Sequence, residues 1–255
     1  MSSYQQITLA LLLSVTATFI NATQLDELVE QGDNAFYGLG VAQSYSRALQ
    51  LYQSAADKGS VEAAHYIGYM HQHGLGVESN MDTAVKWYRK AADADFAKAQ
   101  FTLGQLSEIG DGLPRNLREA LFWYHSAAQS GYDLAQLRLG IMYAQGLGTG
   151  SDYVQATYYA ALAYRQGNQI AAMLLETLLP YLPEFETQLE YSTLWAKPET
   201  DSRPVGQVYQ GSPVYLLEQV SSEWMVVYSP EARRVAYLNT RSFIPQTATA
   251  AGGIR

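Results

Sequence analysis

Residues 60–95 read SVEAAHYIGYMHQHGLGVESNMDTAVKWYRKAADAD, and this 36-residue stretch recurs through the first two-thirds of the chain. Gly40, Gly76, Gly112 and Gly148 stand one period apart, as do Gly38, Gly74, Gly110 and Gly146. Gly32, Gly68, Gly104 and Gly140 form a third column, and Ala48, Ala84, Ala120 and Ala156 a fourth. A fixed period of this size marks an α/α-solenoid, whose units bury their apolar faces against their neighbours. Such arrays present surface, which shifts the expectation from enzyme to binding scaffold.

Each unit reads as two helices and a glycine turn. In the quoted copy Ala63, Ala64, Ile67, Gly68 and Met70 recur at three- and four-residue steps and mark one apolar face. Gly68 in mid-helix costs about 1 kcal/mol relative to Ala, so a close helix crossing is expected there. Gly74 and Gly76 allow the chain to end one helix and reverse. Four residues before each column alanine stand Ser44, Asn80, Asn116 and Asp152, all residues that cap the first turn of a helix. Asn116 with Glu119 and Asp152 with Gln155 approximate the reciprocal capping pattern. The second helix carries the large residues, with columns Leu51, Trp87, Trp123, Tyr159 and Tyr52, Tyr88, Tyr124, Ala160. These aromatics read as core, interlocking with the small residues one turn later.

GLGVESNMDTAVKWYRKAADAD (74–95) and GDGLPRNLREALFWYHSAAQSG (110–131) closely resemble Sel-1-like repeats, relatives of tetratricopeptide repeats. The resemblance runs from Gln24 to Ala172, about four repeats, with NQIAAMLLETLL (168–179) adding a half repeat. The end units depart from the pattern: LDELVEQGDNAFYG (25–38) is polar, and Ala160 and Tyr164 stand where Tyr and Ala are expected. Pro183 suits the first position of a closing helix over PEFETQLEYSTLW (183–195). The expected organisation is a repeat domain over 23–195 with C-terminal capping helices.

Beyond AKPETDSRP (196–204) the period changes to two. Short strands are predicted at Gly206–Tyr209, Val214–Glu218, Trp224–Tyr228 and Val235–Leu238. VGQVYQGSPVYLLEQVSSEWMVVYS (205–229) followed by VAYLNTRSFI (235–244) resembles a bacterial SH3-like domain. Trp224 matches that family's Trp-led strand, whereas Ala236-Tyr237-Leu238 stands where Gly-Trp-Val is usual. A small SH3-like β-barrel is expected over 196–246, then a flexible tail over 247–255. Whether its first strand already begins at Tyr191 is open on the sequence.

Ile7–Ile20 is an uncharged apolar run of 14 residues, short of the ~20 that span a bilayer. It fits the core of a signal peptide over 1–22, cleaved after Ala22 or Ala17, although MSSYQQ carries no basic residue. An apolar helix packed on the first repeat is the other reading. With no stable membrane span, a periplasmic or secreted location is expected.

Composition excludes several chemistries. The chain has 255 residues, no cysteine, a net charge of −8 and no run of Lys or Arg, so nucleic acid is not an expected partner. The four histidines lack the i,i+4 spacing of a helical metal motif, and there is no nucleophile elbow or phosphate loop. No catalytic residue, cofactor or metal is expected. Cysteine-rich exported relatives have been described as hydrolases, and the absence of cysteine counts against carrying that activity over.

What remains is binding. The resemblance places the first helices on the concave face of the array, where Tyr66, Thr102 and Arg138 form one column that breaks the repeat, and Tyr69 and Gln105 begin the next. In the SH3-like segment Tyr209, Tyr215, Trp224 and Tyr237 could offer an aromatic groove, although Trp224 equally fits a core. From Thr23 to Glu190 there are 10 basic and 19 acidic residues, a balance of −9; from Tyr191 onward 6 and 5 give +1. The expected function is a non-enzymatic adaptor of the bacterial cell envelope, binding a protein or peptide and touching peptidoglycan through its second module. A regulator of a wall hydrolase or export machine, or a wall-peptide hydrolase, are the alternatives.

Overall fold

The computed structural model describes residues 23–187, 191–199, 202–239 and 243–244. The signal peptide expected over 1–22 and the tail expected over 247–255 lie outside the described residues. Two compact units make up the chain, Met1–Arg115 and Asn116–Arg255.

The first unit contains α1 (residues 23–37), α2 (Tyr45–Asp57), α3 (Val61–His73), α4 (Met81–Ala92) and α5 (Ala97–Ile109). The second contains α6 (Leu117–Gln129), α7 (Asp133–Gln145), α8 (Tyr153–Arg165) and α9 (Gln169–Leu178), followed by a 3-10 turn (Leu179–Tyr181) and a sheet. All four expected caps form. Ser44 Oγ accepts from the Arg47 amide at 3.3 Å, Asn80 Oδ1 from Thr83 at 2.8 Å, Asn116 Oδ1 from Arg118 and Glu119 at 3.1 and 3.2 Å, and Asp152 Oδ1 from Gln155 at 3.0 Å.

The glycine columns hold the helices together. A Cβ on Gly68 would lie 2.8 Å from the Tyr88 ring, and one on Gly32 would lie 2.5 Å from the Tyr52 ring. Tyr52 and Tyr88 are completely buried, so in these two repeats the mid-helix glycine makes room for the phenol 20 residues on. Their hydroxyls still find partners: Tyr52 donates to Asp33 Oδ1 at 2.5 Å and Tyr88 to Gln72 Oε1 at 2.7 Å. In the fourth repeat Ala160 replaces the tyrosine, and Leu174 of α9 comes within 3.1 Å of where a Gly140 Cβ would stand. Gly76 adopts φ +69°, and a Cβ on it would lie 2.5 Å from the Tyr45 carbonyl carbon at the start of α2. Only glycine meets both demands.

The expected closing helix over 183–195 is not formed. Glu184–Thr187 is a strand, β1, and Tyr191–Trp195 another, β2. The reason is tertiary: β2 pairs antiparallel with β3 (Pro204–Tyr209) along its whole length, and Leu194 becomes fully buried. Aromatic and β-branched residues at 191, 193 and 195 suit that pleated surface, and sheet packing outweighs the helical spacing. The remaining strands are β4 (Pro213–Gln219), β5 (Trp224–Ser229), β6 (Arg234–Asn239) and β7 (Phe243–Ile244), each overlapping its predicted span where one was predicted.

The sheet runs β3-β2-β6-β5-β4-β1-β7. Among the described residues its two edge strands do not pair, so the barrel expected over 196–246 is an open sheet that begins upstream of that span. It curls around Leu194, Val208, Val214, Val227 and Leu238 on one face. The other face, through Leu217, Val226 and Tyr228, packs on Ala160 and Ala161 of α8 and Leu175 of α9. The compact unit therefore includes the last helices together with the strands, and the division expected at 195/196 does not separate them.

Candidate interaction surfaces

In the first unit α3 and α5 carry four of the residues singled out by sequence. Tyr66 is half-buried: its ring stacks on Tyr52 at 4.9 Å with the planes 8° apart, and the Lys98 ammonium lies 5.3 Å from its centroid. Burial, and then the Asp33 carboxylate, push the Tyr66 phenol well above its usual range. Thr102 Oγ1 donates to the Lys98 carbonyl at 2.9 Å and lies 3.3 Å from His65 Nε2. Tyr66 and Thr102 are thus brought together around Lys98 and His65, and both serve the packing. Tyr69 and Gln105, one period apart, face solvent; Tyr69 is 39% exposed, with its ring 4.3 Å from that of His73. Arg138 belongs to the second unit, on α7, where it is half-buried and engaged.

His65 is a buried polar residue of α3. It is 4% exposed, ringed by Tyr66, Tyr88 and Phe96, and its Nδ1 has no hydrogen-bond partner among the described residues. Desolvation, with the Lys98 charge adding to it, lowers its pKa from 6.5 to about 4. The imidazole is therefore neutral at pH 7. No cluster of three or more His, Asp or Glu side chains suited to a metal ion occurs among the described residues.

The four aromatics expected to share a groove in the sheet do not gather. Trp224 is a core residue, 7% exposed. Tyr215 is half-buried against the helices, and burial followed by the Glu184 charge raises its phenol pKa. Tyr209 is 53% exposed on β3, beside an open depression formed with Thr193, Trp195 and Gln207. Tyr237 alone of the four lines a well-formed cleft of about 610 Å³ between α8 and the sheet.

That cleft also holds residues that sequence reasoning passed over. Tyr158, Leu162 and Arg165 line it from α8, and Trp195 and Arg234 from the sheet. Trp195 was hidden by the expected closing helix; the alternation of Tyr191, Thr193 and Trp195 is the signal that could have found it. No described helix is long and apolar enough to cross a membrane.

Sel1 repeats match the chain at residues 32–60, 61–96, 97–132 and 133–168. Among solved structures it is similar to a Sel1 repeat protein from Oxalobacter formigenes, at 30% identity and a TM-score of 0.58 over 61% of this chain and 63% of that one. It is also similar to a protective antigen of uropathogenic Escherichia coli displaying an SLR fold, at 28% identity and a TM-score of 0.41 over 62% of this chain and 41% of that one. The Helicobacter pylori cysteine rich protein B aligns at 21% identity and a TM-score of 0.42 over 52% of this chain and 98% of that one. The chain thus spans less than two-thirds of the length of the first two. No curated protein matches. The four matched segments cover more than half of the 255 residues, in register with the glycine turns and capped helices, and the chain belongs to the Sel1 repeat family.

Proposed function

We propose that this protein is a non-catalytic adaptor of the bacterial cell envelope, in which the repeats hold a protein or peptide partner and the sheet adds a second contact. Sel1 repeats generally mediate protein–protein interactions, and the fold is generally a scaffold without catalysis. The observation that carries the reading is the pair Tyr69 and Gln105. They occupy the same position in successive repeats of one compact unit and both face solvent, the Tyr69 ring standing 6.2 Å from that of Phe36 and 4.3 Å from that of His73. Tyrosine is among the residues that anchor protein interfaces. The acidic balance of the repeats favours a basic partner surface.

The apolar run Ile7–Ile20 supports export to the periplasm or beyond. The Trp-led strand and the curled antiparallel sheet support kinship of the C-terminal strands with SH3-like domains, and with it a contact to peptidoglycan peptides. Affinity capture from the envelope fraction of the host, with the chain from Thr23 to Arg255 as bait and mass spectrometry as readout, tests the whole. A specific partner that is retained by the native chain and lost from Tyr69→Ala/Gln105→Ala supports the adaptor. Capture unchanged in that variant removes the α3–α5 surface from the interface.

A further inference from the structure

The cleft between α8 and the sheet has a floor set by strand register. Trp195 stands opposite Tyr237, and Tyr237 opposite Val226. Directly paired residues share a face of the sheet, so the three form an apolar row across β2, β6 and β5. Leu217 extends it onto β4 at the bulge between Leu216 and Glu218. The wall is α8, where Tyr158 and Leu162, four residues apart, point the same way. Tyr158 is 36% exposed there.

Positive charge collects at one end. Arg165 is the last residue of α8 and Arg234 the first of β6, and both line the cleft. The neighbouring Arg233 guanidinium lies 5.9 Å from the Tyr164 ring, which sets the end of α8 beside the start of β6. Arg234 is partly committed, its Nε donating to the Ala232 carbonyl at 3.3 Å and its Nη1 to that of Val205. Arg165 is exposed and makes no ion pair or hydrogen bond among the described residues. Arg165 and Arg233 set two guanidinium groups at this end of the helix-facing side in a chain of net charge −8, while Arg234, paired with Ser229, carries its side chain beside Gly206 and Leu194. The one carboxylate of the cleft, Glu218, is opposite Val226, whereas Arg234 is opposite Ser229, three residues or about 10 Å further along β5. The negative and positive ends are therefore separate.

We propose that this cleft receives the C-terminal end of a partner polypeptide. The partner's last apolar side chain lies on the Tyr237–Trp195 floor, and its free α-carboxylate meets the Arg165 guanidinium, whose fork of donors matches a carboxylate. A cleft of about 610 Å³ has the size of a site for two or three residues. Gln155 and Glu218 on its walls offer acceptors to peptide amides, which a fatty acid lacks. The proposal deepens the adaptor reading by giving the second contact a chemistry, and it rests on that reading for the ligand's being a polypeptide.

The test uses the purified chain from Thr23 to Arg255 and two pools of hexapeptides randomised at the last three positions, one ending in a free carboxylate and one amidated, with laurate as a third probe. The free-acid pool is expected to be enriched in apolar last residues. Its best member should bind about tenfold or more tighter than its own amide, and about tenfold weaker to Arg165→Ala. Tyr158→Ala should weaken it similarly with the melting temperature unchanged. Tyr69→Ala/Gln105→Ala should leave peptide binding intact, so failure of the α3–α5 surface and failure of the cleft are read separately. Equal binding of acid and amide, full binding to Arg165→Ala, no enrichment in either pool, or binding of laurate alone would overturn the proposal.

Discussion

The phenol ring of Tyr88 occupies the space beside Gly68: a Cβ on that glycine would approach Cδ1 and Cε1 of the ring to 2.8 Å. Tyr88 is completely buried and tied to Gln72, so the ring has no free direction in which to yield. Alanine at a helix position ordinarily gains about 1 kcal/mol over glycine, but overpacking a tight core costs about 1–3 kcal/mol. Gly68→Ala is expected to be destabilising by up to about 2 kcal/mol in chemical denaturation. Gly150→Ala, with nothing within 4 Å of the added carbon, should stay within about 0.5 kcal/mol of the native protein. Equal effects at the two sites would refute the packing account.

His65 makes stability depend on pH. Its pKa falls from 6.5 to about 4 on folding, so between those values the unfolded chain binds more protons and stability rises with pH. Acidification from pH 7 to pH 4 should therefore remove stability progressively, by about 3 kcal/mol from this group. His71, also lowered by burial, contributes in the same direction. In His65→Phe the difference in melting temperature between pH 7 and pH 4.5 should shrink; a difference as large as in the native protein would assign the loss elsewhere.

The asparagine cap of α6 serves two amides at once, those of Arg118 and Glu119. Asn116→Ala should lower stability by about 1 kcal/mol, whereas Asn116→Asp should retain most of it. Thermal unfolding followed by circular dichroism distinguishes the two.

Tyr66→Ala and Tyr69→Ala should separate structure from surface. The Tyr66 ring is stacked on Tyr52 and covered by Lys98, so its removal should cost about 1–3 kcal/mol of stability. Loss of the exposed Tyr69 should leave the melting temperature nearly unchanged and act on partner capture alone. If both variants melt with the native protein, Tyr66 belongs to the surface as well.

Ala160→Tyr restores the tyrosine of the column and should nonetheless be harmful, by more than about 2 kcal/mol, because Leu174 already fills the space beside Gly140. A stabilised variant would show that α9 can move aside.

Much of this architecture could be read from residue types. The cap side chains and the glycine turns follow from local rules repeated four times, and each aromatic column recurs three times, so the repetition removes ambiguity. Pro183–Trp195 had no such repetition. Its spacing suits a helix as well as strands, and the pairing that decides it involves Pro204–Tyr209, a separate stretch of chain. The same limit applies to the surfaces. Tyr69 and Gln105 were legible as positions that packing does not dictate, but Tyr66 was not distinguishable from them until the Tyr52 ring was seen beneath it. Trp195 and Arg165 line one cleft only because a sheet folds back on a helix, and no local pattern records that.

The contact of Gly76 with the start of α2 joins one repeat to the repeat before it. Any unit that presents the same glycine and the same helix start can take the place of its neighbour. Duplication of residues 60–95 would therefore lengthen the array without a new kind of contact. Duplication after α8 would not, because Leu174 and the strands are fitted to Ala160 and Ala161. Growth of such a chain is open at its interior and closed at its C-terminal end.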